Sequence, residues 1–178
     1  MNKSKVNGRK LNLDFHEILK TPTDGCYDDL ALLAVKIFDV PIAIIALVDS
    51  DRMWLKSSVG LKDEHLKSST ELCYSAYLSD DVYIKDKTRV DPRMLSNPVV
   101  SGAMGLQFFA AAPLRSSHGP TVGSFCIMDE RSRNFTVAES SMLRQLARVV
   151  MDYFDLKVNA RLLVKDIQKN LGQTYNCS

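Results

Sequence analysis

The chain has 178 residues, of which 46% are hydrophobic and 25% charged, with a formal net charge of +2. That length and balance suit one globular domain with a good core and an appended helix. Acidic and basic residues are interspersed without a basic block, which argues against nucleic-acid binding, and no apolar run approaches the roughly 18 residues of a membrane span.

Residues 1–21 read as a polar tail with turn signals, and the N-terminus lacks the apolar core of a secretion signal, so a cytoplasmic location is expected. DDLALLAVKIF then reads as a helix with Asp28 or Asp29 in its first turn, where the helix dipole favours acid. Its apolar residues cover most of the circumference, which predicts burial on more than one side. Pro41 ends it. PIAIIALVD is a continuous apolar run, the signature of a strand covered on both faces. RMWLKSSVG alternates weakly and completes a hairpin.

A polar loop from Lys62 to Thr70 leads to ELCYSAYLSD, a short helix with Leu72 and Ala76 on one face, and then to the short strand VYIKD. Thr88 to Gly105 follows, TRVDPRMLSNPVVSGAMG, with two prolines and no helical or alternating period. Compact domains seldom carry so long a loop without a use for it. Asp91-Pro92 is expected to start a short helical turn there and Asn97-Pro98 to end it. LQFFAAAPLRS and TVGSFCIMD read as a second buried hairpin. The run Ala110 to Ala112 suggests that room is needed above the sheet, since alanine has modest strand preference. Thr136 and Glu139 then have capping-box spacing, and helical periodicity persists to about Gly172. A helix of about 35 residues spans roughly 50 Å, more than the width of such a domain, so its last turns need a partner. A second copy of the same helix is the simplest one.

These elements predict an α+β fold. A central antiparallel sheet of five to six strands carries the N- and C-terminal helices on one face. A cover of loop and short helix, drawn from Lys62 to Leu106, lies on the other. The four cysteines are widely spaced, without C-x-x-C or a nearby histidine pair, which argues against a zinc site and against a disulfide framework. No metal site is expected.

In their order, VPIAIIALVD, RMWLKSSVGL, LCYSAYL, DPRMLSNPVV, QFFAAAPL and GPTVGSFCIMD resemble a GAF domain of the bacterial sensor-kinase and diguanylate-cyclase subgroup. The resemblance covers about residues 22–157 and leaves 158–178 as a C-terminal helical extension for dimerisation or signalling. It implies a sensory module that binds a small molecule between sheet and cover or signals through helix-mediated dimerisation. The alternative is a ligand-free dimerisation or partner-binding module. A third reading, a free methionine sulfoxide reductase, meets a departure: residues 99–107, where those enzymes carry a cysteine, have none. No Cys-His dipeptide for bilin attachment, no haem motif and no cyclic-nucleotide N-K-F-D-E pattern is present. The implied partners are an unknown small molecule, a second copy through the first and last helices, and a separate kinase or cyclase. The sequence ends after its long helix, so the output is expected at a partner or dimer interface.

The candidate ligand-binding residues are Cys73, Tyr77, Asp91, Arg93, Phe109 and Ala111. Each has a second reading. Arg93 either forks onto an anionic ligand or bonds loop carbonyls, and Asp91 caps a turn with Pro92 at its first position. Cys73 is a redox or attachment site, or a small apolar packing residue; Cys126, inside its strand, reads as core. Phe108 and Phe109 point to opposite faces, one under the helices and the other at a pocket floor with Tyr74 or Tyr77. Trp54 reads as packing on the edge hairpin. Arg115 and His118 read as solvated, and Asp129, Arg131 and Arg133 as turn residues joined by ion pairs of small value.

Overall fold

The computed structural model describes residues 25–49, 52–62, 72–74, 76–86, 97–102, 104–117 and 120–175. Helix α1 (Cys26–Phe38) precedes strands β1 (Ile42–Asp49), β2 (Arg52–Val59) and β3 (Tyr83–Asp86). A single helical turn α2 (Pro98–Ser101), strands β4 (Phe108–Arg115) and β5 (Thr121–Asp129), and helix α3 (Val137–Tyr175) follow. The strands form one antiparallel sheet in the order β2-β1-β5-β4-β3. Residues 23–151 make one compact unit, and α3 from Asp152 onward belongs to another.

β1 and β5 occupy the middle of the sheet, and this is why their sequences are apolar without alternation: seven successive residues of β1, Ile42 to Val48, are buried. Closing β5 onto β1 requires a glycine. A Cβ at Gly123 would lie 2.1 Å from the Ala46 carbonyl oxygen. A register shift between Ile45 and Ala46 accommodates the extra residue of β2.

The two faces have different coverings. On one, the rings of Phe38 from α1, Phe135 from the approach to α3 and Phe108 from β4 stack in a chain, with centroids 5.6 and 5.4 Å apart. α1 is tied to β2 there by the Ser57 hydroxyl, which donates to Asp28 Oδ1 at 2.6 Å. α1 starts at Cys26, after Gly25 at φ 84°, with Asp28 and Asp29 in its first turn as expected, and stops at Asp39 in the left-handed region at φ 51°. It buries one face, Tyr27, Ala31, Ala34 and Phe38, while Leu32, Leu33 and Ile37 stay exposed. The expectation of burial on several sides is thus corrected for this chain. Small alanines let the helix sit close to the sheet, and the larger leucines fall on the outer side.

The turn chemistry of Asn97-Pro98 is also corrected. The Asn97 carbonyl accepts from Val100 N at 3.0 Å and Ser101 N at 3.1 Å, so Asn-Pro begins α2 rather than ending a turn. The proposed turn at Asp91-Pro92 lies outside the described residues.

Asp129 and Arg133 hold more than the small ion pair expected of them. Asp129 is buried at the end of β5; its Oδ1 accepts from Arg131 N at 2.9 Å and its Oδ2 from Arg133 Nε at 2.5 Å. Arg133 also donates to the carbonyls of Phe38, at 2.9 Å, and of Asp39. One guanidinium therefore ties the exit of β5 to the C-terminus of α1, satisfying carbonyls the helix leaves open.

α3 begins at the predicted capping box. Thr136 Oγ1 accepts from Glu139 N at 3.2 Å, and the Glu139 carboxylate accepts from Thr136 N at 2.7 Å. The Thr136 hydroxyl also donates to Glu139 Oε2 at 2.6 Å, and this bond, with the one from Thr136 N, holds the Glu139 carboxyl below its ordinary pKa of 4.5. Along α3, Leu143, Ala147, Val150, Phe154 and Val158 are buried at spacings of three and four.

Candidate functional site between sheet and cover

The face opposite Phe108 is built in transverse rows by the strand register. Ile44, Cys126, Ala111 and Tyr83 make one row across β1, β5, β4 and β3. Ile42, Met128 and Phe109 make the next, and Ala46 and Ser124 continue the surface on the other side. Phe109 meets the Tyr83 ring edge-on at 6.1 Å. Ala46, Ala111, Ser124 and Cys126 are small, so the surface is shallow at its middle.

The cover enters that shallow ground. Residues 72–74 and 76–77 are helical. Leu72, Cys73 and Ala76 turn inward and are buried, while Tyr74 is exposed and Tyr77 half-buried, their rings 5.5 Å apart. The inward residues pack in one apolar cluster with Ile44, Ala46, Ala111 and Cys126, joined by Leu106, Val100 and Met104 from the later part of the cover. The room foreseen above the alanine run is thus occupied, at Ala111, by the cover helix. Ala110 and Ala112 face the other way.

Polar contacts fix this docking. Ser124 Oγ donates to the Cys73 carbonyl oxygen at 3.0 Å and lies 3.4 Å from Cys126 Sγ. Cys126 Sγ is 3.0 Å from Cys73 Sγ, and both cysteines are free and wholly buried. The neighbouring Cys126 and burial push the Cys73 thiol well above its ordinary pKa. The wide spacing argued against a zinc site and a disulfide framework and said nothing of proximity; residues 53 positions apart meet here, because the register of β5 and the helical phase of the cover both aim at one point. Nothing in linear spacing could have shown it.

At the edge of this face, a cleft of about 10 Å³ is lined by Lys85, Asp86, Val100, Leu106, Gln107, Phe108 and Phe109. That volume holds about one water, far below the roughly 300 Å³ at which small-molecule pockets begin. Of the six sequence-derived candidates, Cys73, Phe109 and Ala111 come together in the buried cluster. Tyr77 lies half-buried on the cover helix, and Asp91 and Arg93 lie outside the described residues. Among the described residues no group of acidic, histidine and cysteine side chains could hold a metal ion.

Outside the sheet face, two arginines fasten the loop before β3. Arg115, exposed as expected, donates to the Asp80 carbonyl at 2.6 Å. Arg144 reaches Asp81 Oδ1 at 2.7 Å and, with the backbone N–H of Val82, holds that carboxyl below its usual range. Trp54 Nε1 and Ser58 Oγ on β2 are buried without a hydrogen-bond partner. His118 lies outside the described residues.

α3 presents a second apolar stripe, offset from its buried one. Met142, Leu146, Val149, Tyr153, Leu156, Ala160, Leu163 and Ile167 follow one another at alternating spacings of four and three along the helix. Leu146 and Tyr153 are half-buried and the others exposed, with Leu156 at 65% and Leu163 at 63%. That is heptad spacing, kept over nearly four heptads. Periodicity alone does not divide the apolar residues of this helix into two stripes; burial does.

An antiparallel five-stranded sheet with a helix-and-loop cover defines a small α+β module. The chain belongs to the GAF domain family, whose model matches residues 22–152. It is 30% identical over 146 residues to a cyclic di-GMP phosphodiesterase of Pseudomonas aeruginosa, covering 82% of this chain and 25% of that protein. The chain thus spans about a quarter of that relative's length. In fold it resembles a domain of a two-component sensor histidine kinase protein from Sinorhizobium meliloti, with a TM-score of 0.61, 17% identity, and coverage of 80% of this chain and 94% of that one. It also resembles the type II free methionine-R-sulfoxide reductase of Thermoplasma acidophilum, with a TM-score of 0.53, 17% identity, and coverage of 67% and 85%. Among the described residues no helix is long and apolar enough to cross a membrane.

Proposed function

We propose that this chain is a GAF signalling module that acts through dimerisation of α3 with the α3 of a second copy, passing the state of its sheet and cover to a partner catalytic unit. The carrying observation is the exposed heptad seam of α3, four heptads long and distinct from the buried stripe. In a parallel pairing of the two helices, Asp152 falls at a position flanking the seam and Lys157 at its complement on the partner, so opposite charges meet across the dimer. Similarity to a quarter of a cyclic di-GMP phosphodiesterase supports a cyclase or phosphodiesterase as the kind of unit such a module regulates.

Sedimentation equilibrium tests this. The wild-type chain is expected to dimerise, and Leu156→Glu with Leu163→Glu to weaken the dimer at least about 100-fold. Burying each leucine contributes roughly 2 kcal/mol, and each 1.4 kcal/mol is tenfold. A wild-type mass that stays monomeric at all concentrations would sink the proposal.

Small-molecule binding between sheet and cover is the second reading, supported by Phe109 and Ala111 on the covered face. Cys73, Tyr77, Asp91 and Arg93 are its further proposed contacts. Thermal shift against nucleotides, tetrapyrroles and organic acids, with Arg93→Ala as control, tests it. A stabilisation lost in that variant is the supporting result, and no shift across the panel counts against it. We read the chain as non-catalytic. The reductase reading is tested by NADPH-coupled turnover of free methionine sulfoxide, for which no activity is expected.

A further inference from the structure

We propose that Cys73 and Cys126 form a reversible disulfide, made at the expense of a hydroperoxide, that locks the cover onto the sheet. This is independent of the dimer seam. The two sulfurs are already 3.0 Å apart, both as free thiols. A disulfide needs about 2.05 Å, so the sulfurs must approach by roughly 1 Å. The partners stand on different elements, Cys73 on the cover helix and Cys126 in the middle of β5 between Ile44 of β1 and Ala111 of β4. A bond between them therefore joins two parts of the fold that packing and the bond from Ser124 Oγ to the Cys73 carbonyl also hold together.

The same geometry assigns the order of events. Cys126 is fixed on both sides by strand pairing and cannot reach solvent while the sheet is intact. Cys73 moves with the cover. With the cover seated, both thiols are wholly buried, and burial and the neighbouring sulfur disfavour the Cys73 thiolate, so the closed pair is inert. When the cover lifts, Cys73 enters water, loses a proton and attacks the peroxide oxygen. The O–O bond breaks, the leaving oxygen takes up a proton as water or an alcohol, and Cys73 becomes a sulfenic acid. On reclosing, Cys126 sulfur attacks Cys73 sulfur, hydroxide leaves and is protonated by the Cys126 proton, and the disulfide forms. Two thiols and one hydroperoxide give one disulfide, one water and one water or alcohol; the cysteines supply both electrons. Oxidation thus records that the cover has opened and then holds it shut until a thiol reductant restores the pair.

The test uses the full chain with Cys26→Ser and Cys177→Ser, leaving only the pair. After treatment with hydrogen peroxide, intact mass is expected to fall by two hydrogens and a non-reducing peptide map to show one cross-link between Cys73 and Cys126, reversed by dithiothreitol. The oxidised protein is expected to melt several degrees higher than the reduced one and to resist proteolysis across the cover. Cys73→Ala, alanine being the smallest apolar replacement, is expected to abolish both the cross-link and the shift. Native protein that gains oxygen without cross-linking overturns the proposal. So does a cross-linked protein that melts no higher than the reduced one. The wild-type four-cysteine chain serves as a second measurement, and a preferred cross-link to Cys26 or Cys177 there is likewise a refutation.

Discussion

Arg133→Met removes the guanidinium that joins the exit of β5 to the end of α1. The side chain is 26% exposed and its partner Asp129 5%, so this is a mostly buried pair whose separation leaves a carboxylate in the interior. What remains to that carboxylate is the backbone N–H of Arg131 at 2.9 Å. The carbonyls of Phe38 and Asp39 lose their donor as well. Breaking a buried pair from one side costs about 3–5 kcal/mol; the partial exposure of Arg133 places the expected loss near the lower bound, about 3 kcal/mol. At roughly 2–4 °C per kcal/mol for a domain of this size, the melting temperature should fall by about 6–12 °C. With a urea slope of about 2 kcal/mol/M, the midpoint should fall by about 1.5 M. Urea unfolding followed by circular dichroism reads both the midpoint and the slope. Asp129→Ala and the double variant complete a cycle in which the two losses should not add, because each single change already breaks the shared bond. A loss below about 0.5 kcal/mol for Arg133→Met, the range of an ordinary surface substitution, refutes the reasoning. Strict additivity in the cycle does too.

The remaining expectations concern the sheet and the start of α3. Gly123→Ala forces a Cβ to within 2.1 Å of Ala46 O and 2.9 Å of Leu47 Cα, both on the neighbouring strand; a loss of about 3 kcal/mol is expected, and a midpoint matching wild type would show that β1 and β5 can part without cost. Phe109→Ala should cost about 3–5 kcal/mol, and Ile84→Ala, on the exposed side of β3, about 1 kcal/mol or less, so equal losses would contradict the burial pattern. Thr136→Ala should cost about 1 kcal/mol through the lost cap. Glu139 has a folded pKa depressed below 4.5, so its contribution is present above that value and lost as the pH falls from 4.5 through the lower folded value. Glu139→Gln should therefore destabilise at neutral pH and lose its effect in acid, and a difference constant with pH would contradict the reading.

Local and medium-range features were legible in the amino-acid order. Continuous apolar runs marked β1, β4 and β5 as strands covered on both faces, and that alone required a cover, since the chain between Lys62 and Leu106 was the only part left to supply one. The capping box at Thr136 and Glu139 set the start of α3. These succeed because their causes lie within a few residues: side-chain period, cap chemistry and proline geometry.

What tertiary structure decided is which residues meet and which remain uncovered. Sequence put Cys126 in the core and left Cys73 between packing and redox roles, and the two sulfurs proved to share one point because strand register and helical phase converge there. Asp129 and Arg133 read as a small surface pair, and burial against the end of α1 made them a junction. The apolar residues of α1 and α3 could not by pattern alone be divided into inner and outer faces. That division follows from what packs against each side, a non-local fact, and it sets apart the stripe Met142 to Ile167 on which the proposed signalling rests.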